Sequence, residues 1–443
     1  MATLSPNPAM QDLKITFQES ALVFPSQETE RKTLFLSNID QFLNFDIPTI
    51  RFFSSNPGFP PEIVAKRLKM ALEKVLVPYD FVAGRLKWNS ESSRLEIDCN
   101  AAGAGFVVAS SELSLDEIGD LACPNLGFQQ LAVQRLNNLG PNYDDQPMCT
   151  LQVTSFKCGG FAIGMSNNHI LLDGLAAKMF QENLASQAFD DKPLPFIPVH
   201  DRHCLTARSP PLVTFPHPEF LLPELPLLEP PNLVIKQELD FKVLKLTSND
   251  INLLKAKAET DNPNAAKITT YNVVAALIWR CKALASCQTE DDKDRESSLL
   301  NAVDLRSRLN PPLPPEFCGN AILLAYSSAQ CGVLEKSPFS KVVEMVSEGI
   351  GRVTDEYARS AIDFVEIYKG IPYGDMIVTS WLRLGFDEVV FPWGKPVFCG
   401  PVVNDMDSLC WAFPAVDGVN ILIQRPPQEM ERFQFHFHNF LIN

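Results

Sequence analysis

Several things are missing from this 443-residue chain, and each absence excludes a class of protein. No apolar run reaches about 18 residues, so a membrane-spanning helix is not expected. The eleven cysteines include no CxxC pair, which argues against a zinc knuckle and a thioredoxin-like couple. There is no Walker loop and no GxGxxG, so phosphate-cradling nucleotide folds are not indicated. The segment "GMSNN" lacks the second glycine of a GxSxG nucleophile elbow. A formal charge of −15 with no long basic stripe makes nucleic acid an unexpected partner. The start "MATLSPNPAMQDLKITF" has neither a basic n-region nor an apolar h-region, so no signal peptide is expected and free thiols in a reducing cytoplasm fit best. Histidine is also scarce: His169, His200, His203, His217, His436 and His438. That short list matters, because general-base chemistry near neutral pH usually recruits imidazole.

What is present reads as a two-domain globular chain, given its length and its 46% apolar content. Helical spacing runs through "PPEIVAKRLKMALEKVLVPY", "GLAAKMFQENLASQAF", "TTYNVVAALIWRCKALASC" after Thr269, and residues 336–368. Ser114 with Glu117 forms a capping-box pattern. "CTLQVTSFKCGGFAIGMSNNHI" reads as a hairpin turning at Gly159-Gly160. "SLLNAVDLRSRL", "DMIVTSWL", "PVFCGPVV", "SLCWAFPAV", "GVNILIQRP" and "FQFHFHNFLIN" read as strands. Residues 191–232 are studded with proline, so they read as a long semi-rigid crossover. The division expected is 1–190, the crossover 191–232, and 233–443. Helices and strands mix without a βαβ rhythm, giving an α/β fold with mixed sheets.

The chemistry-bearing stretch is "SNNHILLDG". His169 leaves a strand, and Asp173 falls at the N-cap of the next helix, where a carboxylate accepts orphan N–H groups. By spacing alone three readings stand: a base oriented by its neighbourhood, a metal pair, or a core histidine beside a helix cap. No third ligand lies at a usable spacing for the metal. "VDLRSRLNPPLPPEFCGN" offers Asp304, Arg306 and Arg308, read as a solvated strand face or as guanidinium support for a carboxylate. "VTSW" ends a strand with the Thr379 and Ser380 hydroxyls and the Trp381 indole, donors that could serve an oxyanion. "VFPWGKP" is a tight, well-packed turn.

Taken together, "HILLDG", "VFPWGKP", "LFLSNIDQ", "VLVPYDFVAGRL", "DRHCLTARSPP", "AALIWRCKA" and "VDLRSRLNPPLPPEFCGN" resemble, in order and spacing, the plant BAHD acyltransferase family, with HxxxDG and DFGWG-type motifs. The resemblance covers more than 400 residues. It implies two chloramphenicol-acetyltransferase-like domains, each a mixed sheet flanked by helices, with a channel at their interface. It also implies acyl transfer from an acyl-CoA co-substrate to an alcohol, with no metal and no permanently bound cofactor. His169 would be the general base, and Thr379 and Trp381 would stabilise the tetrahedral intermediate. Asp173, paired with Arg306 or Arg308, and Gly174 would be structural. Trp393, Gly394 and Lys395 would form the coenzyme-side loop. The sequence departs from the motif at Val390 and Pro392, where the family has Asp and Gly. Loss of that Asp raises the question of an unpaired buried arginine, with Asp387 or Glu388 as the expected compensation. "LFLSNIDQ" and residues 351–370 look like members that use hydroxycinnamoyl-type donors in plant phenylpropanoid metabolism. A cytoplasmic monomer is implied. The alternatives are N-acylation of an amine or polyamine, and a non-catalytic homologue that acts as a partner protein.

Overall fold

The computed structural model describes residues 12–136, 145–222, 239–259, 267–403 and 408–442. In chain order the elements of the first half are β1 (Ile15–Val23), β2 (Lys32–Leu34), β3 (Asp46–Phe53), α1 (Pro61–Val75), β4 (Arg85–Asn89), β5 (Arg94–Cys99), β6 (Ala104–Ser111), α2 (Leu115–Ile118), β7 (Cys149–Ser155), β8 (Phe161–Asn168) and α3 (Gly174–Gln187). There follow β9 (Phe220–Leu221), β10 (Asp240–Leu246), α4 (Ser248–Ala258), α5 (Thr270–Ser286), β11 (Glu296–Asp304), β12 (Ile322–Gln330), α6 (Cys331–Lys336), α7 (Phe339–Arg352), α8 (Asp355–Tyr368), β13 (Ile371–Pro372) and β14 (Met376–Ser380). The chain closes with β15 (Phe398–Pro401), β16 (Leu409–Pro414), β17 (Val419–Arg425) and α9 (Pro427–Ile442).

Two compact units result. The first gathers Met1–Thr206, Leu313–Ala321 and Leu384–Asn404; the second gathers Ala207–Pro312, Ile322–Arg383 and Asp405–Asn443. The first unit is built on a six-stranded sheet of order β1-β6-β7-β8-β3-β15. Only β6 and β7 run parallel in it. α1 buries Val64, Leu68, Leu72 and Val75, while Ile63 faces out. The second unit is built on the order β10-β17-β16-β14-β11-β12. There β14 lies between two parallel neighbours, β11 and β16. α5 is buried almost all round, including the indole of Trp279, as expected of a helix apolar on every face. Both sheets are mixed and flanked by helices, which matches the expected fold class.

The units differ from a sequential division at residue 190. Val199 bridges Phe317, and β15 pairs antiparallel with β3, so two segments from the C-terminal half complete the first unit. A sheet edge leaves backbone groups unpaired, and β15 satisfies that of β3. The crossover is likewise divided: residues up to Thr206 pack in the first unit and Ala207–Leu222 in the second. Residues 223–232 lie outside the described residues. Two element readings are corrected. "FQFHFHNFLIN" is helix α9, not a strand: Met430, Phe433 and Phe437 are buried at helical spacing while Phe435 is 62% exposed. β11 ends at Asp304, so Arg306 and Arg308 sit in the following turn and not on the strand.

Candidate active site

Strand β8 is buried along its whole length, and the chain leaves it at Asn168 into a tight turn. Asn168 Oδ1 accepts from the Ile170 N–H at 3.0 Å, an Asx-type turn that bends the backbone at once. Ile170, Leu171 and Leu172 are buried and anchor the turn in the core. Asp173 then caps α3. Its Oδ1 accepts from Ala176 N at 3.0 Å, and its Oδ2 accepts from Ala321 N at 3.0 Å. The carboxylate therefore ties the helix start to the returning segment 313–321. Gly174 is needed for space: a Cβ there would meet Leu384 Cδ1 at 2.7 Å.

His169 sits on this turn with its ring half-buried. Its backbone N–H donates to Phe45 O at 2.7 Å, and the Phe45 ring lies 5.4 Å from the imidazole. Nδ1 lies 3.1 Å from Asn320 Oδ1. Burial lowers the imidazole pKa below its ordinary 6.5. Hydrogen bonds to its own backbone and to Asn320, with the Asp173 and Asp40 carboxylates, offset this only in part. A neutral imidazole at neutral pH is the form a general base requires.

Behind the turn lies a buried polar group that sequence reasoning missed. Arg202, Asp40 and Asn320 are each 0% exposed. Arg202 Nη1 donates to Asp40 Oδ1 at 3.0 Å and to Ile170 O at 2.9 Å, and Nη2 donates to Leu171 O at 2.6 Å. Asp40 Oδ2 also accepts from the N–H and hydroxyl of Ser37, both at 2.7 Å. Two carbonyls of the HxxxDG turn are thus satisfied by a guanidinium, whose fork geometry suits a two-point contact. The "DRHC" and "FCGN" stretches that supply Arg202 and Asn320 were visible as motifs, but nothing in them assigned these roles.

The expected site residues fall in two groups. His169, Asp173, Gly174, Trp393, Gly394 and Lys395 belong to the first unit; Thr379, Trp381, Arg306 and Arg308 belong to the second. Thr379 and Trp381 stand at the carboxyl end of β14, the central strand of the parallel trio, where α/β sheets commonly place ligands. Thr379 is half-buried and Trp381 buried, with Trp381 N donating to Ala412 O at 2.7 Å. Arg306 Nη1 pairs with Asp304 at 2.7 Å. Arg308 Nη1 donates to Ile350 O at 2.8 Å and Val353 O at 2.7 Å, which satisfies carbonyls at the end of α7.

In the "VFPWGKP" turn, Trp393 is a core residue. It stacks on Phe391 at 5.1 Å and meets Phe53, Phe59 and Phe161 edge-on at 6.2–6.3 Å. Gly394, at φ +112°, adopts a conformation few other residues accept. Lys395 is exposed, and it is the member of this trio that presents a charge to solvent. Val390 is 49% exposed between buried Val389 and Phe391, so the position of the missing Asp faces water. The buried Arg51 of this unit rests instead on Gln181 Oε1 and on the face of Phe386, 5.8 Å from its guanidinium carbon.

The whole described site lies within a match to the model of the Transferase family over residues 13–440. Among curated relatives, the chain is 50% identical to acyltransferase GLAUCE of Arabidopsis thaliana, covering 99% of this chain and 98% of that one. It is 35% identical to the omega-hydroxypalmitate O-feruloyl transferase of Arabidopsis thaliana, over 96% and 93% of the two chains. It is 33% identical to anthranilate N-benzoyltransferase protein 1 of Dianthus caryophyllus, over 97% and 100%. Among solved structures, vinorine synthase superposes with a TM-score of 0.71 at 22% identity, covering 95% and 96%. F. graminearum TRI101 complexed with coenzyme A and T-2 mycotoxin superposes at 0.74 with 15% identity, covering 91% and 97%.

Proposed function

The chain belongs to the plant BAHD acyltransferase family, and from that premise we propose that it moves a hydroxycinnamoyl-type aromatic acyl group from a coenzyme A thioester to an alcohol. The observation that carries this reading is His169: an imidazole kept neutral by burial, on a turn held rigid by Asp173 and Arg202. As the acceptor oxygen attacks the thioester carbonyl, His169 takes its proton. A C–O bond forms and the carbonyl electrons move to an oxyanion. The Thr379 hydroxyl and the Trp381 indole N–H are the donors we assign to that oxyanion. Collapse breaks the C–S bond, and the coenzyme A thiolate takes the proton back from His169. Holding both substrates at once supplies the proximity term, worth several kcal/mol (up to about 7–11) in well-aligned cases. Asp173, Gly174, Arg306 and Arg308 serve as support, and Lys395 as a cation for the coenzyme.

Donor and acceptor class rest on relatives. The feruloyl transferase is named for an aromatic acyl group and a long-chain hydroxy acid. Amine acceptors remain a second reading, because the N-benzoyltransferase is similar over the same length. The eleven cysteines are all unbridged, which favours the cytoplasmic setting we propose. The test offers purified protein mixed acyl-CoAs against mixed alcohols, anthranilate and spermidine, with thiol release and product mass as readouts. We expect ester products from aromatic donors, and none from His169→Ala protein that retains its circular dichroism. Turnover by that variant at the normal rate would sink the base assignment, amide products alone would shift the acceptor class, and silence across the panel would favour a non-catalytic partner protein.

A further inference from the structure

We propose that Asn320 is a positioning residue that fixes the imidazole tautomer of His169, holding the proton on Nδ1 and leaving the Nε2 lone pair for the acceptor. The proposal deepens the base assignment above and rests on it for its catalytic meaning, though not for its geometry.

The argument runs through the amide. Asn320 Nδ2 faces three acceptors: Asp40 Oδ1 at 2.8 Å, His169 O at 2.9 Å and Ile170 O at 3.1 Å. An amide nitrogen has two hydrogens to give, and this position uses both. Turning the amide over would press Oδ1 against a carboxylate and two carbonyls, all without a proton, inside a site that is 0% exposed. The orientation is therefore forced, and Oδ1 must face the imidazole. An amide oxygen only accepts. At 3.1 Å from it, His169 Nδ1 must carry the hydrogen, and neutral imidazole then has its lone pair on Nε2.

Asp40 and Arg202 hold this arrangement from behind. Asp40 Oδ1 receives both Asn320 Nδ2 and Arg202 Nη1, and Arg202 pins the Ile170 and Leu171 carbonyls. Gly319 gives the segment its close approach, since a Cβ there would meet Arg202 Nε at 3.1 Å and the Phe317 ring at 3.2 Å. The orienting group is an amide where a hydrolytic triad often has a carboxylate. A neutral acceptor directs the proton while doing less to stabilise the imidazolium, which suits a base that must stay neutral until the acceptor arrives. The His169 backbone carbonyl is a competing acceptor for the same nitrogen, and the experiment separates the two.

The test is nitrogen-15 NMR of histidine-labelled full-length protein at a pH above the imidazole titration, with the His169 signals assigned by their loss in His169→Gln. We expect Nδ1 of wild type to read as the protonated nitrogen and Nε2 as the lone-pair nitrogen. In Asn320→Ala the proton should redistribute toward Nε2. kcat should fall about tenfold or more, with the KM for acyl-CoA little changed, a part of the roughly 10²–10⁴-fold that a positioned general base contributes. Asn320→Ser, which leaves a hydroxyl donor toward Asp40, serves if the alanine variant does not fold. The proposal is overturned if wild type carries its proton on Nε2, or if a folded Asn320 variant keeps the wild-type nitrogen spectrum. If the spectra behave as stated while His169→Ala remains active, the tautomer lock stands and the base assignment falls.

Discussion

Replacing Arg202 by methionine removes the guanidinium while keeping most of the stem that packs against Phe81, whose ring lies 5.8 Å from the charge. Both partners of the Arg202–Asp40 pair are fully buried, so water cannot compensate. Breaking such a pair from one side typically costs about 3–5 kcal/mol, because the remaining charge is left without its partner. Asp40 keeps Ser37 and Asn320 as donors, which argues for the lower end. Against that, Leu171 O loses its bond to Nη2 and Ile170 O keeps only Asn320 Nδ2, and an orphaned buried carbonyl costs about 1–3 kcal/mol. Together these put Arg202→Met at about 3–5 kcal/mol. Adding Asp40→Asn removes the stranded charge, so the double variant should recover about 1 kcal/mol or more relative to the sum of the singles. The assay is urea unfolding together with hydrogen-exchange mass spectrometry of peptides spanning residues 166–176, since two units need not unfold together. A single variant with wild-type unfolding and unchanged exchange in that peptide would refute the idea that Arg202 braces the turn.

Further outcomes follow from the same geometry. Because burial lowers the His169 pKa, kcat/KM should rise with pH and level off with its inflection below 6.5; an inflection above 6.5 would contradict a buried neutral base. The sign for stability is the same: the unfolded chain gains a proton near 6.5 while the folded imidazole stays neutral, so this contribution is full above 6.5 and erodes as pH falls through the folded value. Trp393→Ala should destabilise by about 3–5 kcal/mol through lost core packing. The KM for acyl-CoA of whatever protein folds should stay near wild type, and a large rise would place the indole at the coenzyme. Val390→Asp should change stability by less than about 0.5 kcal/mol, measured by urea denaturation, because the side chain is already in water.

The turn itself was legible in the chain. A strand ending at Asn168 and a helix capped by Asp173 follow from burial pattern and cap chemistry, and both are local. Its bracing was not legible. Arg202 lies in a proline-rich stretch where one arginine has no periodic context, and Asn320 follows a loop 151 residues beyond His169. Pairings at such separation leave no trace in spacing. Helix α9 carries a strand-like signature because "FQFHFHNF" satisfies a period of two at Phe433, Phe435 and Phe437, and only packing shows that Phe435 faces out. The arginines after Asp304 look strand-borne for a related reason: alternation continues past the point where the backbone turns.

The closing strand of the first sheet carries a consequence for synthesis. β15 (Phe398–Pro401) and the segment Leu313–Ala321 reach the first unit only after most of the chain has been translated. Until residue 321 has left the ribosome, the imidazole at 169 has no amide beside it and Asp173 has only one of its two backbone donors. Until residue 401 follows, β3 remains an open sheet edge, a site for pairing with another nascent chain. A fragment cut at the crossover would inherit both defects, so the first unit is a topological domain but not an autonomous one. Both segments arrive late in the chain, so the first unit is completed only toward the end of synthesis.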